Sequence, residues 1–259
     1  MKKVLCILIC VLILTICILQ MIPESAVPET TTPETTVQDT LPPETTIPQI
    51  QPEHSILYIP GLPVEDVLRY FNEVVLDAEF VNGGDPSRLQ KWNVPIYYII
   101  DGACTEKDRE VLADFVKWLN TIEGFPGISE TTDWGQANMR IYFLNKKGFE
   151  NLMGTQFAGT DGGVTFWYEE NAIYDAKICY RTDTQQTVRN SVILEEIYNG
   201  LGPVQDTALR EDSIIYAGYS TPQTLTPIDE LILKLLYHPK MRCGMNAEEC
   251  EAVIRELYY

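Results

Sequence analysis

A run of nineteen uncharged, largely apolar residues near the N-terminus, residues 4–22, restricts the fold of this chain more than any other feature. About 20 such residues are enough to cross the hydrocarbon core of a bilayer as one helix. We therefore predict a cytoplasmic tip and one transmembrane helix within residues 1–22. A cleaved signal peptide is the alternative, although its apolar region is usually about 7–15 residues long and Glu24 lies where cleavage requires a small residue.

The distribution of basic residues predicts the orientation of this span. Lys2 and Lys3 precede the span, and no Lys or Arg follows until Arg69. Because the flank that carries Lys and Arg stays in the cytoplasm, the C-terminal part of the chain is expected on the far side of the membrane. The expected location is the cell membrane, with a single span and an extracytoplasmic domain, or secretion if the N-terminal segment is cleaved.

Residues 23–54 are low in sequence complexity. Pro-Glu-Thr-Thr repeats begin at Pro28, Pro33 and Pro43. This composition lacks the apolar side chains that a core needs, and its prolines favour extended polyproline II conformations. We predict a disordered stalk that holds the following domain away from the membrane.

Residues 55–259 are predicted to form one globular domain outside the cytoplasm. The chain is 45% hydrophobic, which is sufficient for a packed core. Its 37 acidic residues exceed its 19 basic residues, and the formal net charge is -18. A surface of this charge repels phosphate backbones, so nucleic acid is excluded as a partner.

The spacing of apolar residues in this domain predicts an α+β fold, with a helix, then strands, then helices at the end. Sequences typical of helix starts follow Thr105 and Thr226, and Asp229 completes the second capping box. The predicted helices cover residues 63–76, 105–122, 188–201, 226–237 and 246–257, and the predicted strands cover residues 94–100, 139–144, 163–169 and 176–180.

Four cysteines lie beyond the predicted span: Cys104, Cys179, Cys243 and Cys250. An even number in an oxidising compartment favours two disulfides, with three possible pairings. The short segment between Cys243 and Cys250 favours one bridge between those two and a second between Cys104 and Cys179. Four buried thiols are the alternative, and a zinc site is disfavoured because no Cys-x-x-Cys pair is present.

Residues 194–206, LEEIYNGLGPVQD, have the spacing of a zinc-protease motif without its histidines. In H-E-x-x-H motifs two zinc ligands lie one helical turn apart, and a Glu beside the first deprotonates water. Here Glu195 holds the first ligand position, Glu196 the position of the general base and Asn199 the second ligand position. Gly202 follows where the helix must break, and Asp206 is a possible third ligand.

This segment and further positions towards the C-terminus resemble the uncharacterised bacterial family of domains of unknown function numbered 2927. The resemblance covers roughly residues 91–245, and the positions that carry it are Glu195, Glu196, Leu201, Gly202, Asp206, Ser213, Ile214, Leu225, Thr226, Asp229, Leu236, Tyr237, Pro239, Gly244 and Met245. It implies a zincin-like domain that has a small mixed sheet, flanking helices and a motif-bearing helix but lacks the zinc histidines. It implies no established activity.

The sequence departs from that family at two positions. Asn199 stands where a Gln is usual, and Cys243 stands where a proline usually precedes the Gly-Met pair. The second departure implies that a bridge between Cys243 and Cys250 is specific to this chain.

The residues of the motif are oxygen ligands. Carboxylate and amide oxygens suit Ca²⁺ or Mg²⁺ better than Zn²⁺. We therefore predict no metal and no cofactor, with a divalent cation on Glu195 and Asp206 as the alternative. Glutamates are also good helix formers, which explains Glu195 and Glu196 without any function.

Three functional hypotheses follow from the sequence. The leading one is a catalytically degenerate zincin-like binding module whose cleft binds a peptide, a glycan or an envelope protein. The second is an atypical hydrolase in which Glu196 acts as general base, with a pKa raised by apolar surroundings. The aromatic residues expected in that cleft are Tyr198, Phe166 and Trp167. The third is a purely structural role of the stalk and domain at the cell envelope.

Overall fold

The computed structural model describes residues 3–6, 57–77, 88–218 and 220–258. The predicted stalk at residues 23–54 lies outside the described residues, as do residues 7–22 of the predicted membrane span. Among the helices within the described ranges, none combines the length and hydropathy that a membrane crossing requires.

The first described residues correct one part of the sequence prediction. Residues 4–6 are predicted to begin a transmembrane helix, but Lys3–Cys6 forms a β-strand that pairs antiparallel with Gly162–Glu169. The physical reason is that the outer edge of a strand has unpaired backbone N–H and C=O groups. An extended apolar segment that pairs with this edge forms the backbone hydrogen bonds that it would otherwise form within a helix.

In the described residues, the domain is built on one mixed sheet of seven strands. In chain order the strands are β1 (Lys3–Cys6), β2 (Lys91–Trp92), β3 (Ile96–Gly102), β4 (Ile128–Glu130), β5 (Met139–Leu144), β6 (Gly162–Glu169) and β7 (Ala172–Arg181). Their order across the sheet is β1-β6-β7-β5-β3-β4, and β2 also pairs with β7. The strand β6 is antiparallel to both of its neighbours, whereas the other described pairs are parallel.

Six α-helices accompany this sheet in the part of the chain that the structure describes. They are α1 (Val64–Phe71), α2 (Glu106–Leu119), α3 (Lys146–Met153), α4 (Gln186–Gly200), α5 (Pro227–Tyr237) and α6 (Ala247–Tyr258). A π-helical turn, Asn72–Leu76, extends α1. The five predicted helices and four predicted strands are all present within a few residues, and α3 and the short strands β2 and β4 are the elements that the periodicity did not indicate.

The predicted α+β class is correct in part. The structure contains a mixed sheet and flanking helices, but the centre of the sheet is parallel, which the prediction did not include. The helix α2 lies between β3 and β4 in the sequence, and a helical connection of this kind brings two successive strands into parallel pairing. The strand–helix–strand order was therefore the signal for a parallel centre.

Alternate residues of β5 and β7 face two different hydrophobic clusters. In β7, Ile178 and Tyr180 belong to the main core, which also contains the apolar faces of α4 and α5. Between them, Cys179 points to the other face of the sheet and packs with Phe149 and Phe157. This alternation follows from the two-residue period of a strand.

The predicted disulfides are not present in this structure. The four cysteines of the predicted bridges, Cys104, Cys179, Cys243 and Cys250, are all thiols. Cys104 packs against the main core, whereas Cys179 lies in the cluster on the opposite face of the sheet, so the sheet separates the two. Cys243 and Cys250 both lie near the buried Lys91, where the Cys243 thiol is 3.6 Å from the Lys91 carbonyl oxygen.

The helix α4 is fixed at its start by a buried ion pair. Asp108, the third residue of α2, accepts a 2.8 Å hydrogen bond from Nε of Arg189, and the two side chains are 0% and 6% exposed. Arg189 also donates to the carbonyl oxygens of Thr182 and Thr184. Burial favours a raised pKa for Asp108, but hydrogen bonds from Arg189 and neighbouring groups outweigh it and lower the pKa.

The end of α4 is closed by two aromatic side chains. Nε1 of Trp92 donates to the carbonyl oxygen of Gly200 at 2.9 Å, and the hydroxyl of Tyr237 donates to that of Leu201 at 2.7 Å. Gly202 follows with φ of 130°, and a Cβ atom there would lie 2.5 Å from the Gln90 carbonyl oxygen. Only glycine satisfies both conditions, so Gly202 ends the helix and redirects the chain.

Candidate functional site

A cavity of about 150 Å³ lies beside the middle of α4. We call it the acidic pocket, because four of the residues that line it are Asp161, Glu195, Glu196 and Asp206. Its other walls come from α4, from the turn before β6 and from the segment after the short bridge at Thr207, namely Gly159, Thr160, Gly162, Val188, Val192, Tyr216, Ala217, Gly218 and Ser220. The structure therefore brings together the first ligand position, Glu195, the general-base position, Glu196, and the possible third ligand, Asp206.

The charge of the acidic pocket is one-sided. None of its described lining residues is Lys, Arg or His. Asp161 already has a partner, because its carboxylate accepts a 3.0 Å hydrogen bond from Arg181. Glu195 and Glu196 have no ion pair among the described residues, so the acidic charge of the pocket is only partly compensated.

Glu196 is the most constrained side chain of this site. Its exposed fraction is 2%, and its Oε2 atom has no hydrogen-bond partner within the described residues. A Cβ atom on Gly162 would lie 2.9 Å from Cγ and 3.0 Å from Oε1 of Glu196, so the absence of a side chain on Gly162 makes room for this carboxyl group. A buried carboxyl oxygen without a partner costs about 1–3 kcal/mol of folding free energy.

The surroundings change the acidity of both glutamates in the same direction. Burial, and next to it the charge of Asp206, raises the pKa of Glu196 well above its ordinary value. Burial and the charges of Glu196 and Asp206 also raise the pKa of Glu195. Low dielectric and like charges both favour the protonated form of a carboxyl group. These two side chains therefore hold protons at a higher pH than exposed glutamates do.

Asn199 does not lie where the zinc-motif comparison predicts. It is 0% exposed and does not line the acidic pocket. Neither its Nδ2 nor its Oδ1 atom has a hydrogen-bond partner within the described residues. The helical spacing is correct, but Asn199 lies inside the core, where it is out of reach of a ligand in the pocket.

The residues present do not fit a catalytic zinc site. In the described ranges, no three or more His, Cys, Asp or Glu side chains are arranged to hold a metal ion. The second ligand position is a buried amide, and zinc prefers imidazole and thiolate ligands. We derive no step through a metal.

The aromatic residues expected in the cleft lie elsewhere. Tyr198 is buried in the core, where its hydroxyl donates to the Asp229 carbonyl oxygen at 3.1 Å, and Phe166 is also part of the core. Trp167 lies beside a different surface depression. Among the described residues that line the acidic pocket, Tyr216 is the aromatic one, and no local pattern in the sequence indicates it, because residue 216 reaches the pocket through the fold alone.

Two valines of α4 line the acidic pocket. The helical period places Val188 and Val192 on the inward face together with Ile197 and Leu201, and the latter two are fully buried. Val192 is partly exposed and packs against the main core as well as lining the pocket. Val188 is partly exposed and lines the pocket. The face of α4 that carries these valines and the two glutamates therefore borders the pocket.

Asp229 organises the segment beside the pocket and is not a lining residue. Its carboxylate accepts hydrogen bonds from the backbone N–H and the hydroxyl of Thr226 at 3.0 and 2.7 Å. It also accepts hydrogen bonds from the hydroxyl of Ser213 and the N–H of Ile214. The Ser213 hydroxyl in turn accepts a 2.7 Å hydrogen bond from Tyr70.

This network explains several positions of the sequence resemblance. Ser213 and Ile214 are separated in sequence from Thr226 and Asp229, yet the Asp229 carboxylate joins the two pairs. The network fixes the chain before and after residues 216–218 and 220, which form one wall of the pocket. The role of Asp229 seen in the structure is therefore positional.

The family comparison covers the same part of the chain. The family model described as "Protein of unknown function (DUF2927)" matches residues 64–256. This range extends from the first residue of α1 almost to the end of α6 and includes every residue that lines the acidic pocket. The comparison with curated proteins gave no match. The chain belongs to the DUF2927 family of proteins of unknown function.

Proposed function

We propose that this protein is a membrane-anchored, extracytoplasmic binding module that holds part of its ligand in the acidic pocket without cleaving it. The observation that carries this proposal is the Glu196 carboxyl group, which is 2% exposed, lines the pocket and leaves Oε2 without a partner in the described residues. Folded proteins rarely leave a buried carboxyl oxygen unsatisfied, and a bound group would satisfy it.

The ancestry that we propose is zincin-like. A helix of motif spacing, α4, packs on the mixed sheet, a glycine at residue 202 ends it, and Asp206 returns to the same pocket as Glu195. This arrangement supports a scaffold that kept the shape of a hydrolytic site. The buried Asn199 and the lack of histidines support the loss of its metal chemistry.

The location of the domain outside the cytoplasm rests on the sequence. Lys2 and Lys3 lie before the uncharged run at residues 4–22, and the next basic residue is Arg69. This asymmetry supports an anchor whose C-terminal side is exported, and in the anchored protein residues 3–6 belong to the anchor instead of pairing with β6. The ligands that fit a module at this place are a peptide, a glycan or a protein of the envelope.

A second candidate function is an atypical hydrolase with Glu196 as general acid or base. The specific observation in its favour is the raised pKa of Glu196, caused by burial and the charge of Asp206. Carboxyl groups with this perturbation are common in active sites, because a general acid or base works best with a pKa near the working pH.

One experiment separates the two candidates. The full chain in detergent micelles is tested for turnover of fluorogenic peptide and glycoside substrates, and for binding to peptide and glycan arrays. The variants are Glu196→Gln, Glu195→Gln and, as a control that removes one exposed acidic charge of α6, Glu248→Gln.

The binding module predicts array ligands that the wild-type chain and Glu248→Gln retain and that the two pocket variants lose, with no turnover by any variant. Turnover by the wild-type chain that disappears in Glu196→Gln alone would establish the hydrolase instead. Array binding that both pocket variants retain would contradict a role of the acidic pocket.

A further inference from the structure

We propose that the acidic pocket receives a primary ammonium group on an alkyl stem, as in a lysine side chain of a peptide ligand. The inference rests on the binding function proposed above and names the chemical class of the group that enters the pocket. Three features of the described residues carry it: an uncompensated carboxyl group at one end, an aliphatic wall, and an aromatic ring.

The acidic end of the pocket calls for a hydrogen-bond donor that carries positive charge. Oε2 of Glu196 lacks a partner among the described residues, and Glu195 and Asp206 line the same cavity. An ammonium group has three donors and no acceptor, so it satisfies several carboxyl oxygens at once. A charged donor also compensates like charges that a neutral hydroxyl or amide leaves uncompensated.

The aliphatic wall supplies the surface for the stem. Val188 and Val192 lie one helical turn apart on α4, and Glu196 follows one further turn along the same face. The distance from Val192 to Glu196 along the helix axis is about 6 Å, since each residue adds about 1.5 Å. A four-carbon stem that packs along the valines therefore brings its ammonium group to the glutamate.

The size and the third wall of the pocket fit the same group. A cavity of about 150 Å³ has room for one side chain of this length. Tyr216 is partly exposed and lines the cavity, and Gly218 approaches its ring closely, with a hypothetical Cβ atom 2.4 Å from Cε1. The face of a tyrosine ring attracts an ammonium group electrostatically.

A metal ion is the competing occupant, and the geometry favours the ammonium group. The described part of the chain holds no cluster of His, Cys, Asp or Glu with the arrangement of a metal site. The aliphatic wall of Val188 and Val192 offers no ligand to a divalent cation, since Ca²⁺ and Mg²⁺ are surrounded by oxygen ligands.

The test uses small probes that represent the side chain alone. Saturation-transfer NMR titrations of the full chain in detergent micelles measure binding of n-butylamine, which is protonated at pH 7 and has the stem of lysine. The neutral n-butanol is the matched probe of the same length, and CaCl₂ is added in a separate arm. The chains compared are the wild type, Glu196→Gln, Glu195→Gln and the exposed control Glu248→Gln.

We expect the butylammonium ion to bind the wild-type chain and Glu248→Gln at least about tenfold more tightly than n-butanol. Both pocket variants should lose that preference, and a circular dichroism spectrum identical to that of the wild type shows that each variant is folded. Because Glu195 is partly exposed, Glu195→Gln keeps the test valid if Glu196→Gln does not fold.

Equal binding of n-butanol and butylammonium, or an unchanged preference in both pocket variants, overturns this inference. Displacement of butylammonium by CaCl₂ at stoichiometric concentration overturns it in favour of a metal site. If the array experiment identifies pocket-dependent ligands without lysine, the binding function stands and the ammonium inference alone falls. If the wild-type chain cleaves one of the substrates, the proposed binding function is wrong, and the ammonium inference that rests on it is wrong as well.

Discussion

Two buried acidic sites lie beside the helix α4, and their surroundings shift the carboxyl pKa values in opposite directions. At its start, the Asp108 carboxylate is held by Arg189 and by a side-chain amide, and its pKa is lowered. Two turns later, Glu195 and Glu196 border the acidic pocket without a basic neighbour in its described lining, and the pKa of each is raised. The first site holds the helix in place, and the second leaves two carboxyl groups without a basic partner in the described lining of the pocket.

A third buried carboxylate shows what decides the difference. Asp229 accepts hydrogen bonds from two hydroxyl groups and two backbone N–H groups, yet burial still raises its pKa. Hydrogen bonds from neutral donors are therefore not enough to offset desolvation in this protein. The guanidinium beside Asp108 supplies the positive charge that reverses the direction.

The largest effect is expected at the paired site. Arg189→Met leaves Asp108 buried and without its cation, and we expect a loss of about 3–5 kcal/mol in the free energy of unfolding. Urea denaturation measures it. Arg255→Met, which breaks the exposed pairs with Glu65 and Glu251, is the control and should leave stability unchanged. Equal losses of stability for both variants would show that the buried pair of Asp108 and Arg189 contributes no more than an exposed ion pair.

A smaller loss is expected from closing the space beside Glu196. Gly162→Ala places a Cβ atom 2.4 Å from Cγ1 of Val192. We expect a loss of about 2 kcal/mol, because the strand and α4 must move apart. Gly200→Ala on the same helix is the matched control, since its Cβ atom meets neighbours at 3.4 Å, and alanine stabilises helices relative to glycine. If Gly162→Ala leaves the free energy of unfolding unchanged, the residues around Gly162 can move to accommodate a Cβ atom at little cost.

The pH dependence of stability should have opposite signs at the two sites. Because the folded pKa of Glu196 lies above its unfolded value, the folded state binds more protons above about pH 4.5, and stability falls as pH rises through that range. Glu196→Gln should remove this fall and gain on the order of 1 kcal/mol at pH 7.5, with no gain at pH 4. Thermal unfolding across pH 4 to 8 tests it.

Asp108 provides the opposite sign in the same series. Its folded pKa is lowered, so its contribution to stability is present above the unfolded pKa and is lost as pH falls through the folded value. The wild-type protein should therefore be less stable at pH 2 than at pH 4. A wild-type profile that rises steadily from pH 4 to pH 8 would contradict the assignment for Glu196.

The smallest expected effect concerns the amide that the motif places at the second ligand position. Asn199 is fully buried and both polar side-chain atoms lack partners in the described residues. Asn199→Leu should increase stability by about 0.5–1 kcal/mol, because an apolar side chain of similar size removes the desolvation cost. A loss of stability, or a loss of ligand binding, would show that this amide belongs to the site after all.

Local patterns in the sequence were sufficient for most of the elements. The helices that begin after Thr105 and Thr226, and the strand at Met139–Leu144, follow from capping chemistry and from side-chain periods that depend on a few neighbouring residues. The same holds for the spacing of Glu195, Glu196 and Gly202. Each of these features is decided within about one or two helical turns.

The parallel pairing of the sheet could not be predicted from local sequence patterns. It depends on which strands meet after a crossover, and the short strands β2 and β4 contain too few residues for a period to appear. The four thiols show the same limit. Whether two cysteines meet depends on the face of the sheet on which each side chain lies. Cys104 packs against the main core on one face, and Cys179 lies in the second cluster on the other face.

The sequence by itself determined that α4 exists, that acidic residues follow one another along it and that a glycine ends it, because these properties need only the local geometry of a helix. Only the tertiary structure decided which buried acids have their charge compensated by a basic side chain. Asp108 obtains Arg189 from 81 residues away, and Glu196 obtains no cation from the described lining of its pocket. Compensation of a buried charge requires a partner within a few ångströms, and in a folded chain that distance is set by packing rather than by position in the sequence.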